Sequence, residues 1–144
     1  MSTDQSSPSA LPLTGGCGCR AVRFEIDAPL VAAVYCHCRR CQHRTGTTFQ
    51  ASARVVRGSV RITAGEEHLR GWSPGGLEKA FCGLCGSAVL ARDRATGAIE
   101  VIRLAAVDGD PGIRPSARQF VDYAAPWEPI PDDGLPRFPE RVSR

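Results

Sequence analysis

The chain of 144 residues is long enough for one domain with a modest hydrophobic core, and it has no run of roughly 18 apolar residues that could span a membrane. Its net charge of +3 is the difference between 18 Lys and Arg and 15 Asp and Glu residues, and the basic residues are spread along the whole sequence, which does not indicate a nucleic-acid-binding surface. The 15 Gly and 11 Pro residues predict many turns and short strands rather than long helices.

The first 13 residues are rich in Ser and Pro and lack hydrophobic periodicity, so we expect a disordered tail. They contain neither a basic start nor an apolar run of signal-peptide length, so secretion is not indicated. We therefore expect a cytoplasmic protein, because clustered thiols in a reducing compartment bind metal rather than form disulfides. The odd number of cysteines, seven, also argues against a disulfide framework.

The first predicted elements surround two closely spaced cysteines, Cys17 and Cys19. The Gly residues around them let the backbone wrap closely around an ion. Alternation of apolar and charged residues over 22–27 predicts a half-buried strand. The apolar run over 30–35 predicts a buried strand that leads into Cys36.

Three thiols then fall within six residues, at Cys36, Cys38 and Cys41, a density that packing alone does not require. In an extended segment Cys36 and Cys38 lie on the same face. A short helix over residues 39–44, ending at Gly46, would bring Cys41 back to the same ion.

The remaining elements are predicted as strands and loops. Strands are expected over residues 47–56, 60–63 and 68–72, joined most simply as hairpins. The sequence Cys82-Gly-Leu-Cys85-Gly predicts a metal-binding knuckle before a further strand. Later elements follow in order: a strand over 88–91, a strand over 99–104 that closes the sheet, an edge strand over 119–123, and an extended Pro-rich surface segment over 126–131.

Two cysteine pairs suit one closed metal site, because zinc binds thiolates at about 2.3 Å in a tetrahedron. C-x-C and C-x-x-C each bring two ligands together locally, and metal binding offsets the entropy cost of joining the pairs. We therefore expect a structural zinc ion held by Cys17, Cys19, Cys82 and Cys85. The alternative is four buried cysteines without metal.

The other three cysteines offer only three ligands, and an open fourth position is typical of catalytic zinc. Three thiolates more than neutralise Zn²⁺, which makes the ion a poor activator of water and favours a substrate thiol in the fourth position. This predicts Cys36, Cys38 and Cys41 as catalytic zinc ligands.

A closed Cys₃His site is the alternative for this second ion. His37 would point to the opposite face of an extended segment, so His43 is the expected fourth ligand among His37, His43 and His68.

Three arginines, Arg39, Arg40 and Arg44, surround this site in the sequence. They are candidates for binding the carboxylates of an anionic thiol such as glutathione. The alternative is a solvated helix face.

These motifs, Gly16-Cys-Gly-Cys19, Cys36-His-Cys-Arg-Arg-Cys41 and Phe81-Cys-Gly-Leu-Cys-Gly86, resemble the glutathione-dependent formaldehyde-activating enzyme family, also called the centromere protein V family. Gly46, Phe49, Lys79 and the tail from Ala125 to Phe138 also resemble it. The similarity covers residues 14–139, predicted as the zinc-binding domain, with a C-terminal tail over 140–144. Where many members carry a His before the tail strand, this chain has Arg118.

The resemblance implies a mainly β, single-domain fold of short twisted antiparallel sheets held by two zinc ions, with little helix. It also implies a carbon–sulfur lyase that adds glutathione to formaldehyde and gives S-hydroxymethylglutathione. The expected partners are a small-molecule thiol and an aldehyde, and no membrane association is expected. A zinc-stapled module that binds a protein or a nucleic acid, without chemistry, is the alternative function.

Overall fold

The computed structural model describes residues 10–142, so most of the tail predicted for residues 1–13 lies outside the described residues. The described chain is mainly β with a single α-helix, which confirms the predicted fold class. The strands are Leu13–Gly16 (β1), Arg23–Ile26 (β2), Ala32–Cys36 (β3), Gln50–Arg54 (β4), Val60–Ala64 (β5), Leu69–Trp72 (β6), Leu77–Cys82 (β7), Ala88–Asp93 (β8), Ile99–Arg103 (β9) and Arg118–Gln119 (β10), and the helix α1 spans Arg39–Thr45.

The strands form two sheets that share one core. The smaller sheet has the order β1-β2-β5, and the larger has the order β10-β3-β4-β9-β8-β7-β6. Phe24 and Ile26 of the smaller sheet belong to the same buried cluster as Leu90 and Ile102 of the larger one. Both sheets therefore contribute to one core, and Cys17, Cys36 and Cys82 lie at or directly after strand ends.

Local sequence explains the elements closest to the cysteines. Alternation from Val22 through β2 buries Val22, Phe24 and Ile26, as the period of a strand requires. The helix α1 begins after Cys38, whose sulfur accepts a hydrogen bond from the backbone N–H of Cys41. It ends at Gly46, which takes a left-handed conformation at φ 67°. The short helix predicted between Cys38 and Gly46 is confirmed.

Long-range pairing departs from the predictions in three places. The strand over 60–64, expected in a hairpin with a neighbour in sequence, pairs with β2 in the smaller sheet. The strand over 99–103, expected to close the sheet, lies in its middle between β4 and β8. The edge strand β10 is present but covers only Arg118–Gln119 and runs parallel to β3.

The C-terminal segment lies against the edge formed by β10. The backbone of Phe138 donates to Arg118 and accepts from Val121. The Pro-rich segment before it is exposed, with Trp127 at 71% of its full accessibility. No helix among residues 10–142 is long and apolar enough to cross a membrane.

Candidate metal centres

The two cysteine pairs predicted to share one ion come together in space. Cys17 and Cys19 follow β1, Cys82 ends β7, and Cys85 lies in the turn that follows it. All four sulfurs lie within 4.8 Å of one another, with 3.6 Å between Cys17 and Cys19 and 3.9 Å between Cys19 and Cys82. Tetrahedral zinc with bonds of about 2.3 Å places its sulfurs about 3.8 Å apart. This four-sulfur cluster therefore fits a zinc ion.

Backbone N–H groups support the four-sulfur cluster from both sides. Val22 donates its N–H to the Cys17 sulfur at 3.2 Å, and Leu84 donates to the Cys82 sulfur at 3.4 Å. Gly86 closes the knuckle in a left-handed conformation at φ 81° and donates to the carbonyl of Cys82 at 2.7 Å. Such donors favour the thiolate form that a metal requires.

Ser87 links the two halves of this cluster. Its hydroxyl accepts the N–H of Gly18 at 3.0 Å and lies 3.2 Å from the Cys85 sulfur. Hydrogen bonds from the side chain and then the backbone of Ser87 lower the pKa of the Cys85 thiol to about 5. Ser87 was not identified from the sequence, because its contact with Gly18 depends on a fold that joins distant segments.

The second cluster contains the sulfurs of Cys36, Cys38 and Cys41, which also lie within 4.8 Å of one another. Cys36 ends β3, Cys38 caps α1, and Cys41 occupies the first turn of the helix. The strand end, the cap and the turn thus supply one sulfur each. This three-sulfur cluster could also hold a metal ion.

Mutual contacts set the ionisation of the three-sulfur cluster. Hydrogen bonds from Cys36 and then from Cys41 lower the pKa of the Cys38 thiol to about 2. Hydrogen bonding within the cluster also raises two pKa values. The pKa of Cys41 rises mainly because of its contact with Cys36, and the pKa of Cys36 rises mainly because of its contact with Cys38. The three thiols are therefore coupled, so that ionisation of one disfavours ionisation of the others, and a bound cation would compensate the charge of all three thiolates.

The three histidines contact other groups. Within residues 10–142, no His, Asp or Glu side chain joins the three sulfurs. His37 is buried and its Nε2 lies 3.2 Å from Nη1 of Arg118, while Nε2 of His43 lies 3.3 Å from Nη2 of Arg39. His68 lies 3.6 Å from Glu67. These contacts favour three protein ligands over the closed Cys₃His alternative.

Arg118 fixes the tautomer of His37. Guanidinium is always a donor, so His37 Nε2 accepts and the ring proton lies on Nδ1. Burial, then the charges of Arg118 and Arg137, lower the pKa of His37. Nη2 and Nε of the same guanidinium donate to Oδ2 of Asp133 at 2.7 and 3.2 Å. The guanidinium carbon also lies 4.4 Å from the centroid of the Tyr35 ring.

The three arginines predicted to bind a substrate differ in their surroundings. Arg39 and Arg40 are exposed, and Arg39 contacts the side chain of Gln42 at 2.5 Å. Arg44 is half-buried over the rings of Trp72 and Phe81, at 5.9 and 6.0 Å from their centroids. Exposure of the first two agrees with a solvated helix face, whereas Arg44 is directed onto the sheet.

Sequence reasoning missed a buried arginine near the three-sulfur cluster. Arg103 ends β9 with 8% of its surface exposed, and its Nη1 donates to Ser52 Oγ at 2.9 Å. Burial lowers the pKa of Arg103. An Arg within the otherwise apolar run Val101-Ile-Arg-Leu104 was the available signal. The contact itself depends on the pairing of β9 with β4.

An open cavity of about 620 Å³ lies beside the four-sulfur cluster, and Thr45 at the end of α1 also lines it. Cys17, Gly18 and Ser87 of the four-sulfur side line it, and so do Phe49 and Arg103 on the other side. A cavity of this size has room for a small molecule.

Comparison with known proteins agrees with these observations. The sequence profile of a family described as glutathione-dependent formaldehyde-activating enzyme matches residues 12–123. A crystal structure of a Rhodobacter sphaeroides protein superposes with a TM-score of 0.53 at 23% sequence identity, covering 87% of this chain and 98% of that chain. The likeness shows a shared fold. No curated protein matches the chain.

Proposed function

The chain belongs to the glutathione-dependent formaldehyde-activating enzyme family, and from this membership we propose that it adds a thiol of the glutathione type to formaldehyde or a related aldehyde. The product is an S-hydroxymethyl adduct, and the reaction belongs to the carbon–sulfur lyase class. A reducing cytoplasm suits the reaction, because all seven cysteines are free thiols.

The observation that carries the proposal is a cluster of three sulfurs without a fourth protein donor among residues 10–142. Zinc bound to Cys36, Cys38 and Cys41 would lower the pKa of an incoming thiol, so that a nucleophilic thiolate is available near neutral pH. The four-sulfur cluster would hold a second zinc ion that stabilises the fold.

Residues around the three-sulfur cluster position the substrate in this proposal. Arg39 and Arg40 face solvent from the first turn of α1, where they can pair with the two carboxylates of glutathione. Arg44 lies deeper, three residues after Cys41 on α1, and burial lowers its pKa. The cationic side chains thereby orient an anionic thiol toward the sulfurs.

The test follows adduct formation from glutathione and formaldehyde by exchange NMR with the zinc-loaded protein. We expect a rate well above the uncatalysed one, and loss of the enhancement in Cys38→Ala. Arg40→Gln is expected to raise KM for glutathione several-fold and to leave KM for an uncharged thiol unchanged, because only the carboxylate contact is removed. Arg57→Gln, an exposed arginine in a distant turn, is the matched control.

A rate no faster than the uncatalysed reaction would refute the proposed enzyme. X-ray absorption then decides the nature of the second site. Three sulfurs plus a light exchangeable atom agree with an open site, whereas a fixed His nitrogen would favour a binding module.

A further inference from the structure

Three cationic side chains lie together beside the three-sulfur cluster, and we name Arg44, Lys79 and Arg103 the cation cluster. Lys79 on β7 pairs with Ala91 on β8, which pairs with Val101 on β9, two residues before Arg103. Residues two apart on a strand share a face, so Lys79 and Arg103 project from the same side of the larger sheet. Arg44 reaches this side from α1 and contacts the ring of Phe81.

The cation cluster is partly desolvated and lacks acidic partners. Arg103 is 8% exposed, and the buried Nε atoms of Arg44 and Arg103 have no hydrogen-bond partner. Across residues 10–142, no carboxylate forms an ion pair with any of the three side chains. Buried charges are normally paired, so this arrangement calls for an anion.

The sulfurs supply only part of that anionic charge. Zinc held by three thiolates would carry a net charge of about −1, and a fourth thiolate from the substrate would make it about −2. The three positive charges of the cation cluster exceed the negative charge in either state. At least one positive charge is therefore left for another anionic group.

Burial indicates where this group belongs on the substrate. The carboxylates of glutathione lie several bonds from its sulfur and suit the exposed Arg39 and Arg40. Arg103 lines the cavity, and it pairs with Ser52 on β4, two residues from Gln50, which pairs with Cys36 at the end of β3. A buried cation in this place suits a carboxylate attached directly to the carbon that the sulfur attacks.

We propose that Arg103, supported by Lys79 and Arg44, binds the carboxylate of an anionic aldehyde, so that the preferred carbonyl substrate is a 2-oxo acid of the glyoxylate class. This inference rests on the proposed function. The sulfur forms a bond to the aldehyde carbon, the carbonyl π pair moves to oxygen, and that oxygen takes up the proton that the thiol releases. The product is a hemithioacetal that carries a carboxylate, and no oxidant or reductant is required.

The kinetic test compares glyoxylate with formaldehyde as the partner of glutathione. In the zinc-loaded wild-type protein, kcat/KM for glyoxylate is expected to exceed that for formaldehyde. Arg103→Gln should lower kcat/KM for glyoxylate at least tenfold and change that for formaldehyde less than twofold, while Arg103→Lys retains most of the preference. The matched control is Arg57→Gln.

Equal losses for both aldehydes would overturn the inference, because Arg103 would then act on the sulfurs rather than on the substrate. A rise in KM for glutathione, absent for an uncharged thiol, would assign the carboxylate to the thiol and would equally overturn it. If Arg103→Gln does not retain zinc, the same kinetic comparison of glyoxylate with formaldehyde is made with Lys79→Met, because Lys79 is half-buried.

A binding measurement separates this inference from the proposed reaction. Oxamate, an unreactive analogue of glyoxylate, is titrated into the zinc-loaded protein by NMR, with its neutral ethyl ester as control. The anion site is supported if oxamate binds saturably and the ester does not, and if Arg103→Gln weakens oxamate binding at least tenfold at unchanged zinc content. This result supports the anion site even if thiol addition fails. Equal binding of acid and ester, or unchanged binding in Arg103→Gln, overturns the anion site whatever the protein catalyses.

Discussion

Arg118 joins three parts of the chain through one guanidinium group. It contacts His37 beside the three-sulfur cluster, Asp133 in the C-terminal segment, and the Tyr35 ring on β3. The side chain of Arg118 is only 4% exposed, and that of Asp133 is 32% exposed. A buried cation with this many contacts is costly to remove, because its partners are left without compensation.

We therefore predict that Arg118→Ala lowers the free energy of unfolding of the zinc-loaded protein by about 2–4 kcal/mol, measured by urea denaturation. The control is Arg61→Ala, which removes an ion pair with Glu25 whose side chains are 69% and 36% exposed. Exposed pairs contribute little, so a change below about 0.5 kcal/mol is expected there. Similar losses in the two variants would show that the Arg118 contacts do not stabilise the fold.

At the scale of single residues, short spacing made the convergence of the thiols predictable. Cys36, Cys38 and Cys41 converge through a strand end, a helix cap and one turn, all of which are local. The roles of Ser87 and Arg103 were not predictable, since each contacts residues brought together by long-range pairing. Arg118 was noted only as a departure from the family pattern.

At the scale of elements, β1 shows how closely two segments approach. Gly15 and Gly16 were interpreted as small residues that wrap around an ion, but they form the end of a strand. A Cβ atom at Gly15 would lie 2.2 Å from the carbonyl oxygen of Ala106 and 2.6 Å from the ring of Phe24. Neither group can move without disturbing the core.

Gly15→Ala is accordingly predicted to lower the free energy of unfolding by about 3 kcal/mol or more, because backbone must shift to admit one methyl group. Thermal unfolding of the zinc-loaded protein measures the effect. At Gly76, a Cβ would meet no atom within 4 Å, so Gly76→Ala should change stability by less than about 0.5 kcal/mol. A near-neutral Gly15→Ala would contradict the close approach of β1 to the segment around Ala106.

Strand partners were harder to predict than strand positions. Alternation located β2, and the apolar run located β3, because both signals are local. Nothing in the sequence of β5 indicates that it pairs with β2 rather than with a neighbour in sequence. The same limit misplaced β9, which the structure puts at the centre of its sheet.

At the scale of the whole molecule, the four-sulfur cluster joins the two sheets. Cys17 and Cys19 continue from β1 of the smaller sheet, whereas Cys82 ends β7 of the larger one. The contact between Cys19 and Cys82 spans 63 positions of sequence. Metal binding here would close a long loop and hold the sheets together. The three-sulfur cluster, in contrast, joins only β3 to the helix that follows it.

The two clusters should therefore respond differently to loss of one sulfur. A structural zinc site contributes about 10–16 kcal/mol in small domains, which is comparable with the whole stability of a typical domain. Cys82→Ala is expected to unfold the domain, whereas Cys38→Ala should leave it folded with one zinc ion fewer. Metal analysis gives the stoichiometry and circular dichroism gives the fold, with Arg57→Gln as the control that keeps both ions. A Cys38→Ala variant that lost both ions and its structure together would contradict this separation of roles, because the site proposed for chemistry would then also hold the sheets together.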